Sequence, residues 1–230
     1  MVVLVSTRNP LNIGASARAL SNFGVSKLRL VNPYDPAFRE ARSAVGAAPL
    51  LRSAEVYDSV AAAVADCILV VGTTAARARE LHLPLRRLEQ GSRIIRKNLG
   101  SARVALMFGS EKRGLLNDEM SHCHWLMRIP TREGLSMNLG QAVAVCLYEL
   151  IRDAKAPKKV SRSKRASAGD LERITAALFE ALAKSGYVNP RTSASTEEKI
   201  RRLVRRLELP ADDSEVWLGI LRQILWKVGQ

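Results

Sequence analysis

Three polar segments of this 230-residue chain each follow a short apolar run and could bind an anion or align a reacting group. The first, residues 12–18, runs from Asn12 through the small residues around Gly14 to Arg18, one helical turn after that glycine. Small residues let a ligand approach the backbone, and the start of a helix favours an anion. An ordinary strand–loop–helix connection with a surface arginine accounts for these residues equally well, so this segment alone leaves both interpretations open.

The second segment, residues 109–114, invites comparison with a phosphate-binding P-loop because glycines bracket it directly after an apolar run. Leu115 and Leu116 stand where that motif requires lysine and then serine or threonine, which excludes a P-loop nucleotide hydrolase. No GxGxxG motif follows a strand either, so a Rossmann dinucleotide site is unsupported. What remains is a polar loop in which Glu111 can accept hydrogen bonds beside the basic Lys112 and Arg113.

The third segment, residues 129–141, again leads from an apolar run through a loop into a helical pattern. Ser136 or Asn138 can cap that helix, because their side chains can accept hydrogen bonds from its first backbone N–H groups. Capping accounts for either residue alone. Two such residues in one tight loop are harder to explain by capping.

The elements that would position these segments alternate between strands and helices. Short apolar runs bounded by turn residues predict buried strands at residues 2–5, 28–31, 68–71, 104–108 and 126–129. Helical spacing predicts helices at 15–23, 59–65, 88–98 and 139–152. This alternation is typical of the α/β class, with a mostly parallel sheet and helices on both faces. In such sheets ligands bind at the carboxyl ends of the strands, which is where we look for chemistry.

The charge of the chain points to nucleic acid as its partner. Lysine and arginine number 36 against 22 aspartate and glutamate, which gives a formal net charge of +14. Such an excess attracts polyanions, and each phosphate that is neutralised releases condensed counterions. The alternative is a basic protein whose charge merely keeps it in solution.

The cysteines and histidines predict no metal site. Cys67 and Cys146 lie in apolar runs and are expected to be core thiols, and three scattered cysteines make no disulfide framework. Residues 122–124, His-Cys-His, lack a second ligand cluster to complete a tetrahedral site. The amino terminus predicts a buried strand rather than a signal peptide, and no run approaches the ~18 apolar residues of a membrane span. We therefore expect a cytoplasmic protein.

A change of composition after residue 152 predicts a main domain at 1–152, a basic linker at 153–169 and a helical extension at 170–230. The linker carries six lysines and arginines and is a solvated segment or an arm that follows RNA. In the extension we predict helices at 171–185, 199–207 and 215–228. Their predicted caps are Asp170, a capping box of Ser195 and Glu198, and Asp213 or Ser214.

Arginines recur at helical spacing in the second of these helices. Arg201 and Arg205, together with Arg202 and Arg206, offer a basic stripe to RNA phosphates. Three helices in about 60 residues make a marginal core. We therefore expect the extension to pack on the main domain or on a second subunit.

Taken together, the three polar segments resemble motifs 1, 2 and 3 of the SpoU/TrmH family of SPOUT methyltransferases. Motif 1 is matched by RNPLNIGASARAL, motif 2 by MFGSEKRGL and motif 3 by IPTREGLSMNLGQAVAV. They occur in the family's order and span essentially all of residues 1–152. Motif 3 has Met137 where leucine is usual, a near-isosteric change. The opening Arg8-Asn9-Pro10 and the helical extension are most similar to the TrmJ branch of the family.

The resemblance implies an S-adenosyl-L-methionine-dependent tRNA (ribose-2′-O)-methyltransferase that modifies nucleotide 32 of the anticodon loop. It also implies a homodimer and a deep trefoil knot at the C-terminal side of the sheet, an exception to the rule against threaded chains. The cofactor contacts carried over are Thr73, Thr74, Gly109, Ile129, Ser136, Met137 and Asn138.

The resemblance assigns catalysis to Arg18, Asn12, Glu111, Ser136 and Asn138, with Arg18 nearest the ribose hydroxyl. In this interpretation Asn12 and Asn138 position the ribose and the loop, Glu111 orients Arg18 or the RNA, and Ser136 shapes the site. Arg8 and Arg113 are expected to contact RNA. No metal and no membrane are expected.

Two other functions stay open. One is 2′-O-methylation of another tRNA or rRNA nucleotide, and the other is a non-catalytic RNA-binding factor on the same scaffold. All five predicted catalytic residues are present. A factor that had lost catalysis would not need them, so their presence favours an enzyme.

Overall fold

The strands of the molecule form one parallel sheet. A computed structural model describes residues 1–35, 38, 48–75, 82–99, 103–132, 135–152 and 165–228. The strands are β1 Val2–Val5, β2 Leu28–Val31, β3 Glu55–Tyr57, β4 Leu69–Thr73, β5 Leu85–Arg87, β6 Val104–Phe108 and β7 Trp125–Arg128. Their order across the sheet is β3-β2-β1-β6-β4-β7-β5, and every pairing is parallel.

The strand order brings the carboxyl ends of distant segments together. From β1 the chain moves outward to β2 and β3, and later elements return to place β6 on the other side of β1, with Val2 opposite Leu106. The order of the strands therefore reverses between β1 and β6, and such a reversal opens a crevice at the carboxyl edge of a parallel sheet. The loops that follow β1 and β6 meet at this edge.

Helices cover both faces of the sheet. They are α1 Pro10–Asn22, α2 Ala48–Arg52, α3 Val60–Val64, α4 Leu88–Asn98, α5 Asn117–Ser121, α6 Leu139–Ile151, α7 Ala168–Lys184, α8 Ser193–Arg206 and α9 Ala211–Val228, with a 3₁₀ turn at Pro190–Thr192. One core joins the sheet to α1, α4 and α6, for example through Ile13, Ile95 and Val143. A second core joins it to α3 and α5 through Val64 and Met120. The predicted α/β architecture is confirmed, whereas the knot stays a prediction.

The C-terminal helices have a core of their own and dock on the main domain. Leu171, Ile174 and Val204 are among the buried residues of that core. The start of α7 is fixed to the main domain by two backbone hydrogen bonds, from Ala168 N–H to the carbonyl of Cys67 at 2.6 Å and from Gly169 N–H to that of Ala65 at 2.8 Å. The extension therefore packs on the main domain of its own chain, one of the two arrangements expected. The domain bounds stay a prediction, and residues 153–164 of the linker lie outside the described residues.

Two strands and several helix starts differ from the sequence-based prediction. The strands β3 and β5 were not predicted, because each has three residues, at most partly buried, at an edge of the sheet. The first helix begins at Pro10, five residues early, with Asn9 as its cap: the Asn9 side chain accepts a hydrogen bond from Leu11 N–H. Gly14 consequently lies inside this helix and does not open it.

The predicted caps of the C-terminal helices are wrong. Ser167 caps α7 and accepts from the backbone of Asp170, whose carboxylate accepts from Ser167 N–H in return. Ser195 and Glu198 lie inside α8 because the preceding 3₁₀ turn leads straight into that helix. The last helix begins at Ala211, ahead of Asp213, and the hydroxyl of Ser214 donates back to the carbonyl of Ala211. None of the helices in the described ranges is long and apolar enough to cross a membrane.

Candidate active site

A cavity of about 440 Å³ lies at the carboxyl ends of β4, β6 and β7. Its rim and walls come from the ends of these strands, the loop after β6, and the segment that leads into α6. The residues that line it are Thr73, Thr74, Ala75, Phe108, Gly109, Ser110, Glu111, Lys112, Arg113, Gly114, Leu115, Met127, Ile129, Thr131, Leu135, Ser136, Met137, Leu139 and Ala142. The second and third polar segments of the sequence thus meet in one pocket.

The loop after β6 is folded back on itself at Gly109. A Cβ atom at this position would lie 2.0 Å from the carbonyl carbon of Gly114 and 2.1 Å from the nitrogen of Leu115, so only glycine fits. Gly114 has a φ of +66°, in the left-handed region that glycine adopts without strain. Its N–H donates to the carbonyl of Ser110 at 2.8 Å, which closes the turn. The two glycines are needed for this tight turn, which shapes one wall of the cavity.

The loop after β1 is tied to the same site by Glu111. The carboxylate accepts hydrogen bonds from Arg8 N–H at 3.3 Å, from Asn9 N–H at 3.2 Å and from the Asn12 Nδ2 amide at 3.1 Å. These donors precede or open α1, where backbone N–H groups have no partner within the helix. Glu111 thus holds the start of α1 against the loop after β6.

A pair of asparagines extends this network to the third segment. Asn138 Nδ2 donates to Asn12 Oδ1 at 2.7 Å, and Asn138 Oδ1 accepts from Gly140 N–H at 2.9 Å, which makes Asn138 the cap of α6. Asn12 itself is buried. Behind this contact the helices α1 and α6 pack closely, since a Cβ on Gly140 would lie 2.6 Å from that of Ala15. All three polar segments are therefore joined by side-chain hydrogen bonds.

Most of the predicted cofactor contacts line the cavity. Its lining residues include Thr73, Thr74, Gly109, Ile129, Ser136 and Met137. Asn138 does not line the cavity and instead caps α6. The Thr73 hydroxyl donates to the carbonyl of Met107 at 2.9 Å, and Thr74 N–H donates to that of Met127 at 3.0 Å. These bonds fix the end of β4 between β6 and β7.

Part of the apolar lining was not predicted. Phe108, Leu115, Leu139 and Ala142 contribute to it, and the first three are buried. Their apolar character was visible in the sequence, but it is equally typical of core residues. Only their tertiary arrangement shows that they face a cavity.

The predicted catalytic arginine does not line the cavity of its own chain. Arg18 is exposed on α1, six residues beyond Asn12, and is not among the lining residues in the described part of the chain. Arg8 is also exposed, in the loop held by Glu111, and Arg113 lies exposed at the cavity. Of the five predicted catalytic residues, Glu111 and Ser136 reach the pocket directly.

Arg201 and Arg205 do not form the basic stripe that was predicted. They are only 6% and 1% exposed, because α8 turns this face towards the main domain. Arg201 donates to Glu172 at 3.0 Å and to the Ser121 hydroxyl at 3.1 Å, while Arg205 donates to the carbonyl of His122 at 2.8 Å and to Glu172 at 3.2 Å. Both guanidinium groups are held inside the protein, so neither presents a surface to RNA.

The buried histidines and cysteines are neutral. Burial lowers the pKa of His122 and of His124 to about 3 each, so both are neutral, and the Nδ1 atom of His124 accepts from Val70 N–H at 3.1 Å. Cys67, Cys123 and Cys146 are buried free thiols, and burial raises the pKa of each to about 12. In the described part of the chain no three His, Cys, Asp or Glu residues are grouped so that they could hold a metal.

The family of the chain is shown by its sequence. The model of the SpoU rRNA Methylase family matches residues 1–148, and the chain belongs to that family. The resemblance inferred from the three motifs is thereby confirmed, and the family match ends close to the last residue of α6.

Individual relatives match almost the whole chain. It is 35% identical to the tRNA (cytidine/uridine-2′-O-)-methyltransferase TrmJ of Pectobacterium atrosepticum over 97% of this chain and 95% of that one. It is 36% identical to the protein of the same name from Sodalis glossinidius, over 97% and 90%. Among solved structures, TrmJ from Z. mobilis ZM4 superposes with a TM-score of 0.84 at 31% identity, covering 97% of both chains. The similarity therefore includes the C-terminal helices.

Proposed function

We propose that this protein transfers a methyl group from S-adenosyl-L-methionine to a ribose 2′-hydroxyl of tRNA, at nucleotide 32 of the anticodon loop, in the cytoplasm. The relatives that match it over 97% of its length are named for 2′-O-methylation of cytidine or uridine in tRNA. The observation that carries the proposal is the cavity at the carboxyl edge of the sheet, on which the three motif loops converge.

The cavity fits the cofactor in size and in chemical character. At about 440 Å³ it falls within the range of small-molecule sites, roughly 300–1,000 Å³. Phe108 and Leu139 offer an apolar surface suited to a purine ring, while the turn at Gly109 lets backbone approach the ligand. Six of the predicted contacts, namely Thr73, Thr74, Gly109, Ile129, Ser136 and Met137, would hold the cofactor, which supplies a methyl group already activated on a sulfonium. Asn138 would act indirectly, because it caps α6 and so fixes the loop that leads into that helix.

The task of the protein side chains is alignment and proton removal. A guanidinium does not give up its proton in proteins, so Arg18 would bind a phosphate or ribose oxygen and leave the hydroxyl proton to another acceptor. Glu111 accepts three N–H donors from the loop after β1 and the first turn of α1, which supports a positioning role towards this segment instead of the predicted role towards Arg18 or RNA. Asn12 and Asn138 would likewise position loops, and Ser136 would shape the pocket.

We further propose that the chain acts as a homodimer through α1 and α6. These helices pack against each other, and Leu11, Tyr148 and Ile151 leave apolar surface exposed on them. Arg18 is exposed on the same pair of helices but outside its own cavity. A dimer contact on this surface would place Arg18 where a second copy can use it, and Arg8 and Arg113 would contact RNA phosphates.

The test is methyl transfer to unmodified tRNA with labelled S-adenosyl-L-methionine. We expect label on one ribose 2′-oxygen at nucleotide 32, and no label on a transcript whose nucleotide 32 is a 2′-deoxynucleotide. Label on a base would refute the ribose assignment, and label that persists in the deoxy transcript would refute the position. Tight binding of tRNA with no transfer under any condition would favour the non-catalytic factor.

A further inference from the structure

The loop after β2 presents an aromatic side chain at the edge of the sheet that holds the cavity. Tyr34 follows the end of β2 and is 53% exposed. The other strongly exposed aromatic residues in the described part of the chain lie on α6 or in the C-terminal extension. Within the described ranges, Tyr34 is therefore the one strongly exposed aromatic residue at the carboxyl edge of the sheet, and none of the roles proposed above uses it.

The backbone around Tyr34 is held on both sides. Its N–H donates to the carbonyl of Thr7 at 3.0 Å, and its own carbonyl accepts from Phe38 N–H at 3.0 Å. Phe38 is buried in the main core, and Pro33, directly before Tyr34, has a fixed φ. The tyrosine side chain itself has only two rotatable torsions. A ligand that contacts this ring therefore loses little affinity to ordering of the protein.

The turns after β1 and β2 both pass through the left-handed region without glycine. Ser6 has a φ of +53° and Asn32 a φ of +43°, each directly after the last residue of its strand. Ser6 N–H donates to the carbonyl of Val31 at 2.8 Å, and Asn32 N–H donates to that of Tyr57 at 3.1 Å. Such strained residues persist where neighbouring structure fixes them, and they cluster at ligand sites. The two turns that meet at Tyr34 thus have the backbone strain typical of a binding site.

Two hydrogen bonds connect Tyr34 to the rim of the cavity. The Thr7 carbonyl that accepts from Tyr34 belongs to the same peptide group as Arg8 N–H, which donates to Glu111 at 3.3 Å. Peptide dimensions then place the Tyr34 nitrogen within about 9 Å of the Glu111 carboxylate, which lines the cavity. The side chains of Arg8 and Lys112 are exposed along the same edge. The ring therefore lies beside both the pocket and exposed positive charge.

We propose that the Tyr34 ring stacks on the unpaired base that follows the target nucleotide of the RNA. This inference rests on the proposed function and adds a second nucleotide to what the site recognises. Unpaired bases of RNA loops stack on aromatic side chains, whereas paired bases are hidden in their helix. In the anticodon loop the unpaired base after nucleotide 32 is that of nucleotide 33. The cations beside Tyr34 match the phosphates that flank such a base, which favours RNA over an apolar protein segment.

The first part of the experiment measures methyl transfer to tRNA by full-length variants at position 34. Alanine substitution of one stacking aromatic side chain weakens binding by about five- to 150-fold. We therefore expect Tyr34→Ala to raise KM for tRNA at least about five-fold and to leave kcat within about two-fold, because the stack holds the bound state and the transition state equally. Tyr34→Phe keeps the ring and should keep the native KM. Tyr34→Leu is apolar without an aromatic face and should behave like Tyr34→Ala.

The second part removes the base instead of the ring. A tRNA with an abasic site directly after the mapped target nucleotide should raise KM for the unmodified protein by the same factor as Tyr34→Ala. Combining the two changes should add nothing further, because each removes the same contact. Tyr187, which is 72% exposed on the extension, offers a matched control. Tyr187→Ala should leave the effect of the missing base unchanged.

The outcomes separate this proposal from the proposed function. A native KM in Tyr34→Ala would overturn the stack, as would full additivity of Tyr34→Ala with the abasic site. Native behaviour of Tyr34→Leu would show an apolar contact and would also overturn it. An unchanged dissociation constant for S-adenosyl-L-methionine checks that each variant keeps its cavity. Absence of transfer by the unmodified protein would refute the proposed function instead. The same variants and an abasic site at nucleotide 33 would then be compared by the dissociation constant for tRNA, and additivity there would overturn the stack.

Discussion

Replacing Gly109 with alanine tests whether the turn after β6 builds the cofactor pocket. The added Cβ would lie 2.0 Å from the carbonyl carbon of Gly114 and 2.1 Å from the nitrogen of Leu115. An ordinary van der Waals contact begins at 3.4 Å, so the turn must open by about 1.4 Å. The obstructing atoms belong to the backbone, and no side-chain rotation can relieve the overlap.

The size of the effect follows from this displacement. A shift of about 1 Å in groups that position a ligand costs on the order of 100-fold in rate. We therefore expect Gly109→Ala to raise the dissociation constant for S-adenosyl-L-methionine at least about ten-fold and to lower kcat/KM at least about 100-fold. Overpacking costs about 1–3 kcal/mol, which for a chain of this size lowers Tm by roughly 2–12 °C.

Calorimetric titration of the cofactor, methyl transfer and thermal unfolding measure these effects. The matched control is Gly219→Ala, inside α9, where an added Cβ meets nothing within 4 Å. Alanine is better than glycine inside a helix by about 1 kcal/mol, so this variant should be more stable and equally active. Native cofactor affinity in the Gly109→Ala protein would refute the assignment of this turn to the pocket.

Three further variants test the other assignments. Arg18→Ala should reduce transfer at least about 100-fold while leaving the cofactor dissociation constant within about two-fold, because Arg18 does not line its own cavity. A mixed dimer of one Arg18→Ala chain and one Gly109→Ala chain should regain transfer, because the first chain keeps an intact cavity and the second keeps its Arg18. Failure of the mixed dimer to transfer would exclude action across the subunits. Arg205→Met removes the buried hydrogen bonds to the His122 carbonyl and to Glu172, which keeps Arg201 as a partner, and should cost about 1.5–3 kcal/mol in urea unfolding, against less than about 1 kcal/mol for Arg202→Met, which removes an ion pair with Glu198 within one helix. His122 and His124 both have their pKa lowered to about 3 by burial, so the unfolded chain binds two extra protons from about pH 6.5 downward, and the free energy of unfolding should fall as the pH drops from 6.5 towards 3. His124→Asn should remove about half of this dependence in urea titrations at pH 7, 6 and 5, and an unchanged slope would mean that His124 is not a titrating group.

The central part of the sheet was predictable because its strands are fully apolar. Residues 2–5 and 104–108 are buried along their whole length, so an uninterrupted apolar run predicts them well. The edge strands Glu55–Tyr57 and Leu85–Arg87 have three residues each and keep exposed side chains. Their strand conformation depends on pairing with β2 and β7, which no local pattern reports.

The arginines of α8 show a second limit of sequence patterns. Spacing correctly places Arg201 and Arg205 on one side of a helix, but it does not say what that side meets. Here it meets Glu172, together with the carbonyl of His122, on elements far away in the sequence. A run of arginines predicts an exposed basic surface only when no carboxylate on a neighbouring element is available to pair with it.

The network of Asn12, Glu111 and Asn138 explains why these positions require their particular residue types. Asn12 donates through Nδ2 to Glu111 and accepts through Oδ1 from Asn138, so it needs both functions of an amide. Asn138 donates to Asn12 and accepts from Gly140 N–H, and it needs both as well. Aspartate could not donate at either position, and leucine could do neither. The Glu111 carboxylate can only accept hydrogen bonds, and the backbone N–H groups at the start of α6 can only donate them. Together these two ends fix the direction of every hydrogen bond in the network. The three motif loops are therefore locked together in one arrangement, and two of the predicted catalytic residues shape the site without lining its cavity.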